Sequence, residues 1–309
     1  MVLSILQMVL PVIITFLLGT FCRRKNILSE EGLGGLRKIV SNILLPVVLF
    51  NAFFTAEYSG KILLTFVTVY LSCSLALLLG FLLRRFVKPY GKFMPFLVTD
   101  FEGGMLGYAL FGLLVASGTH IFAMVDIGQT LCAYTVYMVT LTAVSGGKAQ
   151  PKEIAKSALT NPAFIGTLLG VITGALGLGK IILSSSVGTI VQDTISFITA
   201  PTSALILIIV GYDLSFRREL MRPVLITVTL RLVIMALLLG IGYVVLFHFI
   251  PFDKSLFTAL LLAYSLPAPF IIPLFADIKG HGEYISTVLS IETIVTIVLF
   301  VGIAAYSLT

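Results

Sequence analysis

Long apolar stretches follow one another along almost the whole chain, and short polar connections separate them. A helix needs about 20 apolar residues to cross about 30 Å of hydrocarbon. The stretches are continuous and lack the alternation of membrane β-strands. The pattern predicts ten transmembrane helices, at residues 2–21, 33–54, 61–83, 93–116, 119–144, 158–177, 186–210, 222–249, 255–275 and 285–307.

The composition agrees with a protein embedded in a bilayer. Of the 309 residues, 58% are apolar and 11% are charged, and the mean hydropathy is +1.11. Soluble domains carry about 25% charged residues, so a soluble enzyme, a disordered chain and a secreted disulfide scaffold are excluded. Cys22, Cys73 and Cys132 are scattered and form neither a disulfide nor a zinc pattern. No cofactor and no metal is predicted, apart from Na⁺ as a coupling ion.

Basic residues are distributed unevenly over the connections. Sixteen of the twenty Lys and Arg residues follow the first, third, fifth, seventh and ninth predicted helices, and three follow the other helices. Cytoplasmic loops carry such an excess of positive charge. The chain is therefore predicted to lie in the cell membrane with both termini on the extracytoplasmic side. The net charge of +6 has this topological explanation, so no nucleic-acid partner is expected.

Proline punctuation divides the chain into two similar halves. Each half opens with a proline-containing span, at Pro11 and Pro162, and its second span carries a proline, at Pro46 and Pro201. Five spans in each half place the second half upside down relative to the first. The sequence thus predicts an all-α integral membrane protein of two inverted five-helix repeats.

The predicted repeats have simple boundaries. They cover residues 1–144 and 158–309, and a cytoplasmic linker at residues 145–157 joins them. Residues 145–148, at the start of that linker, lack the spacing of a phosphate-binding P-loop. They are predicted to form a flexible loop, and nothing indicates a nucleotide-driven pump.

The fourth predicted span of each half is interrupted. Helix four contains residues 100–104, Asp-Phe-Glu-Gly-Gly, and helix nine contains residues 265–269, Ser-Leu-Pro-Ala-Pro, followed by Pro273. Proline removes a backbone donor and glycine is a weak helix former. Either interruption alone is compatible with an ordinary kink. Two of them at matched positions of inverted repeats are typical of the central site of a secondary transporter.

The interruptions identify candidate substrate-binding residues. Half-helix N-termini can hold an anionic group, and freed carbonyls can hold a cation. The predicted binding residues lie at the interruptions or at polar and proline positions of the second span of each half. They are Glu102, Gly103, Gly104, Asn42, Pro46, Pro201, Ser265, Pro267 and Pro269.

Acidic residues inside the spans are candidates for ion coupling, because ionisable groups are costly in a membrane. The candidates are Asp100, Glu102, Glu292 and Asp193. Glu102 and Glu292 are the sharpest pair, since buried carboxylates can carry a proton or hold Na⁺. Asp193 could instead reach the headgroups.

Three further charged residues receive structural interpretations. Asp126 is expected near the outer end of helix five, where water can reach it. Asp213 and Arg231 are expected to pair near the inner ends of helices seven and eight. These interpretations remove the three residues from the functional candidates.

Glycines recur at intervals of four residues in two places. Gly103 and Gly107 form one pair, and Gly166, Gly170 and Gly174 form a longer series. Such spacing lets membrane helices approach closely. A packing role is favoured over a ligand role for both sets.

Several motifs resemble those of the auxin efflux carrier family. The opening is carried by Leu10-Pro11, the stretch at residues 23–28 and Leu45-Pro46, and the second half by Asn161-Pro162 and residues 208–214. The resemblance runs over nearly the whole chain. It implies a ten-helix carrier of two inverted repeats whose helices four and nine cross at their breaks beside the substrate. Bacterial members are mostly described as permeases for organic acids such as malate or malonate, and plant members as auxin exporters.

The chain departs from the family pattern at the expected site. Glu102 stands where the family usually has Asn, and Ala109 where it has Pro. Glu292 replaces a small polar residue, and Asp213 replaces a small residue. The added acids would suit a proton-coupled anion, or a cationic or zwitterionic substrate.

The sequence leads to one main hypothesis of function. It is a secondary carrier, and no enzyme, that moves a small organic acid anion by alternating access with H⁺ or Na⁺ coupling. The alternative is the same fold carrying a cation, amine or amino acid coordinated by Glu102 and Glu292. An intramembrane protease is disfavoured, because Tyr212-Asp213 has no second Gly-x-Gly-Asp element. The expected partners are a small substrate, the coupling ion and the lipid bilayer, and a homodimer is left open.

Overall fold

A computed structural model of the chain describes residues 2–56, 58, 60–115, 118–145, 152, 156, 159–272 and 278–308. Its regular secondary structure is helical, and no strand occurs among these residues. Seven helices of the described part are long and apolar enough to cross a membrane, which agrees with a multi-pass membrane protein. Most of the predicted linker, and Pro273, lie outside the described residues.

The helices are numbered in chain order over the described residues. The first half of the chain contains α1 (Val2–Arg24), α2 (Glu30–Phe54), α3 (Gly60–Leu83), α4 (Met94–Leu97), α5 (Gly103–Leu114) and α6 (Thr119–Val144). The second half contains α7 (Pro162–Ala175), α8 (Leu178–Leu183), α9 (Gly188–Tyr212), α10 (Met221–Phe249), α11 (Lys254–Ser265) and α12 (Gly282–Leu308).

The seven long helices coincide with seven of the ten predicted spans. They are α1, α2, α3, α6, α9, α10 and α12, the last three of which correspond to the predicted spans seven, eight and ten. The predicted spans four, six and nine are represented by the shorter helices α4 with α5, α7 and α11. The fourth span is divided between α4 and α5, and α11 ends at Ser265, where the second interruption begins.

Side-chain caps explain where several helices begin. The Ser29 hydroxyl accepts a hydrogen bond from the Gly32 N–H at 3.0 Å at the start of α2. The Asn161 side chain accepts from Phe164 N–H at 3.2 Å ahead of α7. Such caps satisfy backbone donors that a first helical turn leaves free.

Asp253 caps α11 and also ties it to α3. Its carboxylate accepts from the Leu256 N–H at 3.0 Å and pairs with the Lys61 ammonium. Burial alone would raise the pKa of Asp253, but these hydrogen bonds outweigh it and hold the pKa below its ordinary value. The contact fixes the helix that leads into the second interruption.

The helices form two packed groups. In the first group, α7 packs on the second half of α2, and α1 packs on the second half of α9. In the second group, α3 packs on α6 and α10, and α12 packs on α10 and α11. The largest apolar core lies in the second group, and a smaller apolar cluster joins α1, α2, α5 and α9.

Glycine makes the close approaches within the first group possible. A Cβ on Gly170 would lie 2.6 Å from the Phe50 carbonyl oxygen, and Cβ atoms on Gly166 and Gly174 would overlap neighbouring carbonyls of α2. Gly19 of α1 and Gly211 of α9 meet the facing backbone in the same way. The packing role predicted for the glycine series is therefore confirmed.

Substitution of Gly170 by alanine tests this packing. We expect Gly170→Ala to lower the melting temperature of the purified protein, because an overpacked contact costs about 1–3 kcal/mol. Gly240→Ala is the matched control, since a Cβ there meets nothing within 4 Å. The control should match or exceed wild type, because alanine favours a helix over glycine. Equal melting temperatures for both variants would contradict the packing role.

Candidate transport site

Two breaks in the helices define the centre of the molecule. The first lies between the end of α4 at Leu97 and the start of α5 at Gly103. Asp100 within it has a φ of 54°, in the left-handed region that aspartate tolerates better than most residues. The second break follows Ser265, where prolines at 267 and 269 cannot donate to a helix. Both predicted interruptions are thus present.

The two breaks cross in contact with each other. The Glu102 N–H donates to the Pro267 carbonyl oxygen at 2.9 Å. This hydrogen bond joins the backbones of the two broken segments. The Glu102 carboxylate accepts from the Met105 N–H at 3.1 Å and from the Phe270 N–H at 2.7 Å. One side chain therefore serves backbone donors on both sides of the crossing.

Arg231 of α10 donates to backbone carbonyl oxygens at the crossing, whereas Glu102 accepts from backbone N–H groups. Its side chain is 3% exposed, and its guanidinium donates to four carbonyl oxygens that the breaks leave free. These are the carbonyls of Leu97 at 3.2 Å, Thr99 at 3.1 Å, Asp100 at 2.6 Å and Leu266 at 2.8 Å. Unsatisfied helix-end carbonyls cannot face lipid. Arg231 thus replaces the water that this backbone would otherwise need.

Glu292 of α12 completes the charge balance. Its carboxylate lies 3.8 Å from the Arg231 Nε atom and accepts from the Ala268 N–H at 2.9 Å. Both side chains are 3% exposed. Glu102 and Glu292 therefore lie at the crossing, as the sequence suggested, and each binds backbone donors there.

The predicted pairing of Asp213 with Arg231 is wrong. Asp213 pairs with Arg37, and Arg231 pairs with Glu292. The sequence placed Arg231 in a span but could not show that α12 supplies its partner, because that depends on how distant helices pack. The intramembrane position of Arg231 was itself a signal of importance.

The expectation that Asp126 is wet is also wrong. Asp126 is 2% exposed. Its carboxylate packs against Gly103, where a Cβ would overlap it. The residue is therefore next to the first break. Its position near a helix end suggested solvent, but the packing of α6 against α5 covers it.

The other predicted residues divide between the crossing and its surroundings. Asp100 is fully buried in the first break, and neither carboxylate oxygen has a hydrogen bond among the described residues. Pro46 packs against Gly166. Pro201 lies on an exposed interruption within α9, and Asp193 lies on an exposed face of the same helix.

Two cavities lie on either side of the start of α5. The larger one, about 540 Å³, is lined by Asn42, Met105, Phe270 and other residues, and the charged residues of its lining are Arg37, Lys38 and Asp213. It includes the polar side chains of Ser41, Ser286, Ser290 and Thr293. The predicted topology places this charged end on the cytoplasmic side.

The smaller cavity, about 160 Å³, lies further along the same two helices. On α2 it is lined by Leu45, Val48 and Asn51, and on α9 by Thr199, Thr202, Ser203 and Ile206. The larger cavity is lined by residues nearer the start of α2 and the end of α9. Leu44, Ala109 and Ile209 belong to the smaller apolar cluster, in which Ile209 lines the larger cavity and Ala109 the smaller one.

Comparisons with known proteins point to membrane transport. A sequence model of the family described as "membrane transport protein" matches residues 4–303. A protein named as an uncharacterized transporter from Methanothermobacter thermautotrophicus is 28% identical over 299 residues. The match covers 93% of this chain and 95% of that relative.

Replacement of Arg231 tests its role at the crossing. We expect Arg231→Met to destabilise the protein by about 3–5 kcal/mol, because it leaves Glu292 and four carbonyls without their partner. Thermal unfolding of the purified protein measures the loss. Arg222→Met, on an exposed position of the same helix, is the matched control and should stay near wild type. A melting temperature for Arg231→Met equal to that of the control would refute the role.

Proposed function

Because the chain belongs to the membrane transport protein family, of the auxin efflux carrier type, we propose that it is a secondary active transporter that works by alternating access. Its cargo in this proposal is a small organic acid anion of the malate, malonate or auxin class, moved with H⁺ or Na⁺ across the cell membrane. The crossing of two helix breaks between two cavities carries the proposal. Such crossings near the middle of inverted repeats are typical of secondary transporters.

We propose that the complete membrane domain has ten spans in two inverted repeats. The pairing of helices supports this count, because equivalent contacts occur twice. The packing of α1 on α9 matches that of α7 on α2, and α3 packs on α6 as α10 packs on α12. An inverted repeat requires such paired contacts. The excess of basic residues on alternate connections supports termini outside the cytoplasm.

The chemistry of the larger cavity supports an anionic cargo. Two basic residues, Arg37 and Lys38, line it against one acid, Asp213. Positive charge at the entrance of a cleft raises the local concentration of anions. Hydroxyl and amide groups deeper in the cavity, such as those of Asn42 and Thr293, can bind a carboxylate or a hydroxyl of an organic acid.

One observation favours the alternative of a cationic, amine or amino-acid substrate. The start of α5 and the Phe270 N–H after the second break, which could hold a substrate anion, already bind the Glu102 carboxylate. Two negative groups at one positive helix end repel each other. A substrate that approaches Glu102 would then need a positive group.

Uptake into proteoliposomes decides between these cargoes. We expect saturable uptake of malate or indole-3-acetate that responds to a pH or Na⁺ gradient, with liposomes lacking protein as the control. Arginine, lysine and a simple amine are tested in parallel. Saturable flux of the cationic compounds alone would contradict the anion proposal and support the alternative. The absence of any gradient-driven flux would count against secondary active transport.

A second test concerns Glu102 itself. In Glu102→Gln, the amide offers one acceptor oxygen to two backbone donors, so one of them loses its partner. We expect transport to fall about tenfold or more, since hydrogen bonds to charged groups contribute about 1.5–3 kcal/mol. Glu283→Gln, an exposed change that also removes a negative charge, should transport normally. A Glu102→Gln protein that keeps the wild-type pH and Na⁺ dependence has no coupling role at this residue.

A further inference from the structure

The smaller cavity holds an unusual set of polar groups, and we propose that it binds a small monovalent cation of the Na⁺ type. The ligands are the side-chain oxygens of Asn51, Tyr108, Thr202 and Asp126. The inference rests on the proposed function for its role as a coupling ion, but the site itself rests on the local geometry.

Three helices bring neutral oxygens to the same cavity. Asn51 lies in the last turn of α2, Tyr108 in α5 and Thr202 in the second part of α9, and all three line the cavity of about 160 Å³. This space is large enough for a small ion with several water molecules. Oxygen-only surroundings suit hard cations.

The proposed ligand oxygens lack hydrogen bonds of standard geometry among the described residues, although the Tyr108 hydroxyl and the Asp126 carboxylate lie beside each other. The Asn51 Oδ1, Tyr108 hydroxyl, Thr202 Oγ1 and Asp126 Oδ1 atoms are buried without a hydrogen-bond partner there. Each buried polar group without a partner costs about 1–3 kcal/mol. Thr194 and Thr199 of the same helix instead donate to the carbonyls four residues back. Three such atoms belong to residues that line the cavity, and the fourth, on Asp126, lies against Gly103 beside it, an arrangement that a bound cation would satisfy.

Asp126 supplies the negative charge beside this cavity. Its carboxylate lies next to Tyr108 and against Gly103, one residue from the cavity-lining Gly104. No basic side chain pairs with Asp126 in the described part of the chain. A buried carboxylate without a partner is costly, and a bound cation removes that cost.

The charge count favours a monovalent ion. One carboxylate and three neutral oxygens carry a single negative charge, whereas divalent cations usually gather several carboxylates. No group of three or more His, Cys, Asp and Glu residues suited to a metal occurs among the described residues. Na⁺ fits this set better than Ca²⁺ or Zn²⁺.

The location links the ion to the crossing. Gly103 begins α5, and the neighbouring Glu102 carboxylate binds the backbone of both broken helices. A cation held by Asp126 therefore stabilises the start of α5 in its present position. The smaller cavity is lined by residues nearer the end of α2 and the start of α9 than the larger cavity, which is the side that the predicted topology assigns to the exterior. An ion entering from outside would thus favour the state whose large cavity faces the cytoplasm.

Thermal unfolding of the purified full-length protein in detergent tests the site. The buffer exchanges choline chloride for NaCl at constant ionic strength and fixed pH. We expect Na⁺ to raise the wild-type melting temperature in a saturable way, since a ligand of the folded state stabilises it. In Asp126→Asn and Thr202→Ala, the half-saturating Na⁺ concentration should rise about tenfold or more.

Matched variants control for charge and for the loss of a hydroxyl. Glu31→Gln removes one exposed acid, and Thr194→Ala removes an exposed hydroxyl of α9. Both should respond to Na⁺ as the wild type does. If Asp126→Asn does not fold, Thr202→Ala and Asn51→Ala provide the same comparison.

Three results would overturn the inference. Equal wild-type melting temperatures in NaCl and choline chloride mean that no such cation site exists. An unchanged Na⁺ response in Asp126→Asn and Thr202→Ala places the site elsewhere. Stabilisation by acid alone, lost in Asp126→Asn, identifies a proton at this residue. A Na⁺ response in a protein without transport would contradict only the proposed function.

Discussion

The arrangement at the centre of the molecule depends on one guanidinium. The Arg231 side chain donates to the backbone carbonyls that two helix breaks leave without hydrogen bonds. Helix breaks expose carbonyl oxygens, and lipid offers them no hydrogen-bond donor. Arg231 has enough donors in a fixed geometry to serve the ends of α4 and α11 together. Its own buried charge would be prohibitive without Glu292 beside it. The crossing therefore exists because α10 and α12 hold this pair against it.

The acidic residues at the crossing bind backbone N–H groups, just as Arg231 binds backbone carbonyls. Glu102 accepts from the Met105 N–H at the start of α5, and Arg231 donates to the Leu97 carbonyl at the end of α4 and to the Leu266 carbonyl just after α11. Negative groups belong at helix N-termini and positive groups at C-termini. Residues that look like ligands in the sequence thus first satisfy the backbone. In the proposed transport, the substrate would meet the groups that remain, such as Asn42 in the larger cavity.

Local sequence predicts the helices and their breaks, because apolar length and proline or glycine act over short distances. The intramembrane acids could also be found, since their cost in lipid is independent of the fold. Their partners could not. Arg231 joins Glu292, and Asp126 is covered by α5, only because helices far apart in sequence pack together. The π-helical turn Gly103–Gly107 likewise has no signature beyond its glycines.

The two helix groups differ in how they are joined, and this difference bears on the proposed alternating access. Polar links tie the crossing to α10 and α12, so these elements form one unit. The group of α1, α2, α7 and α9 is held together by glycine contacts within itself. Both cavities lie where this group faces the crossing, with Asn42 and Asn51 on one wall and Phe270 and Tyr108 on the other. In the proposed alternating access, a shift between these two groups would open one cavity and close the other, while Arg231 and Glu292 stay paired within the second group.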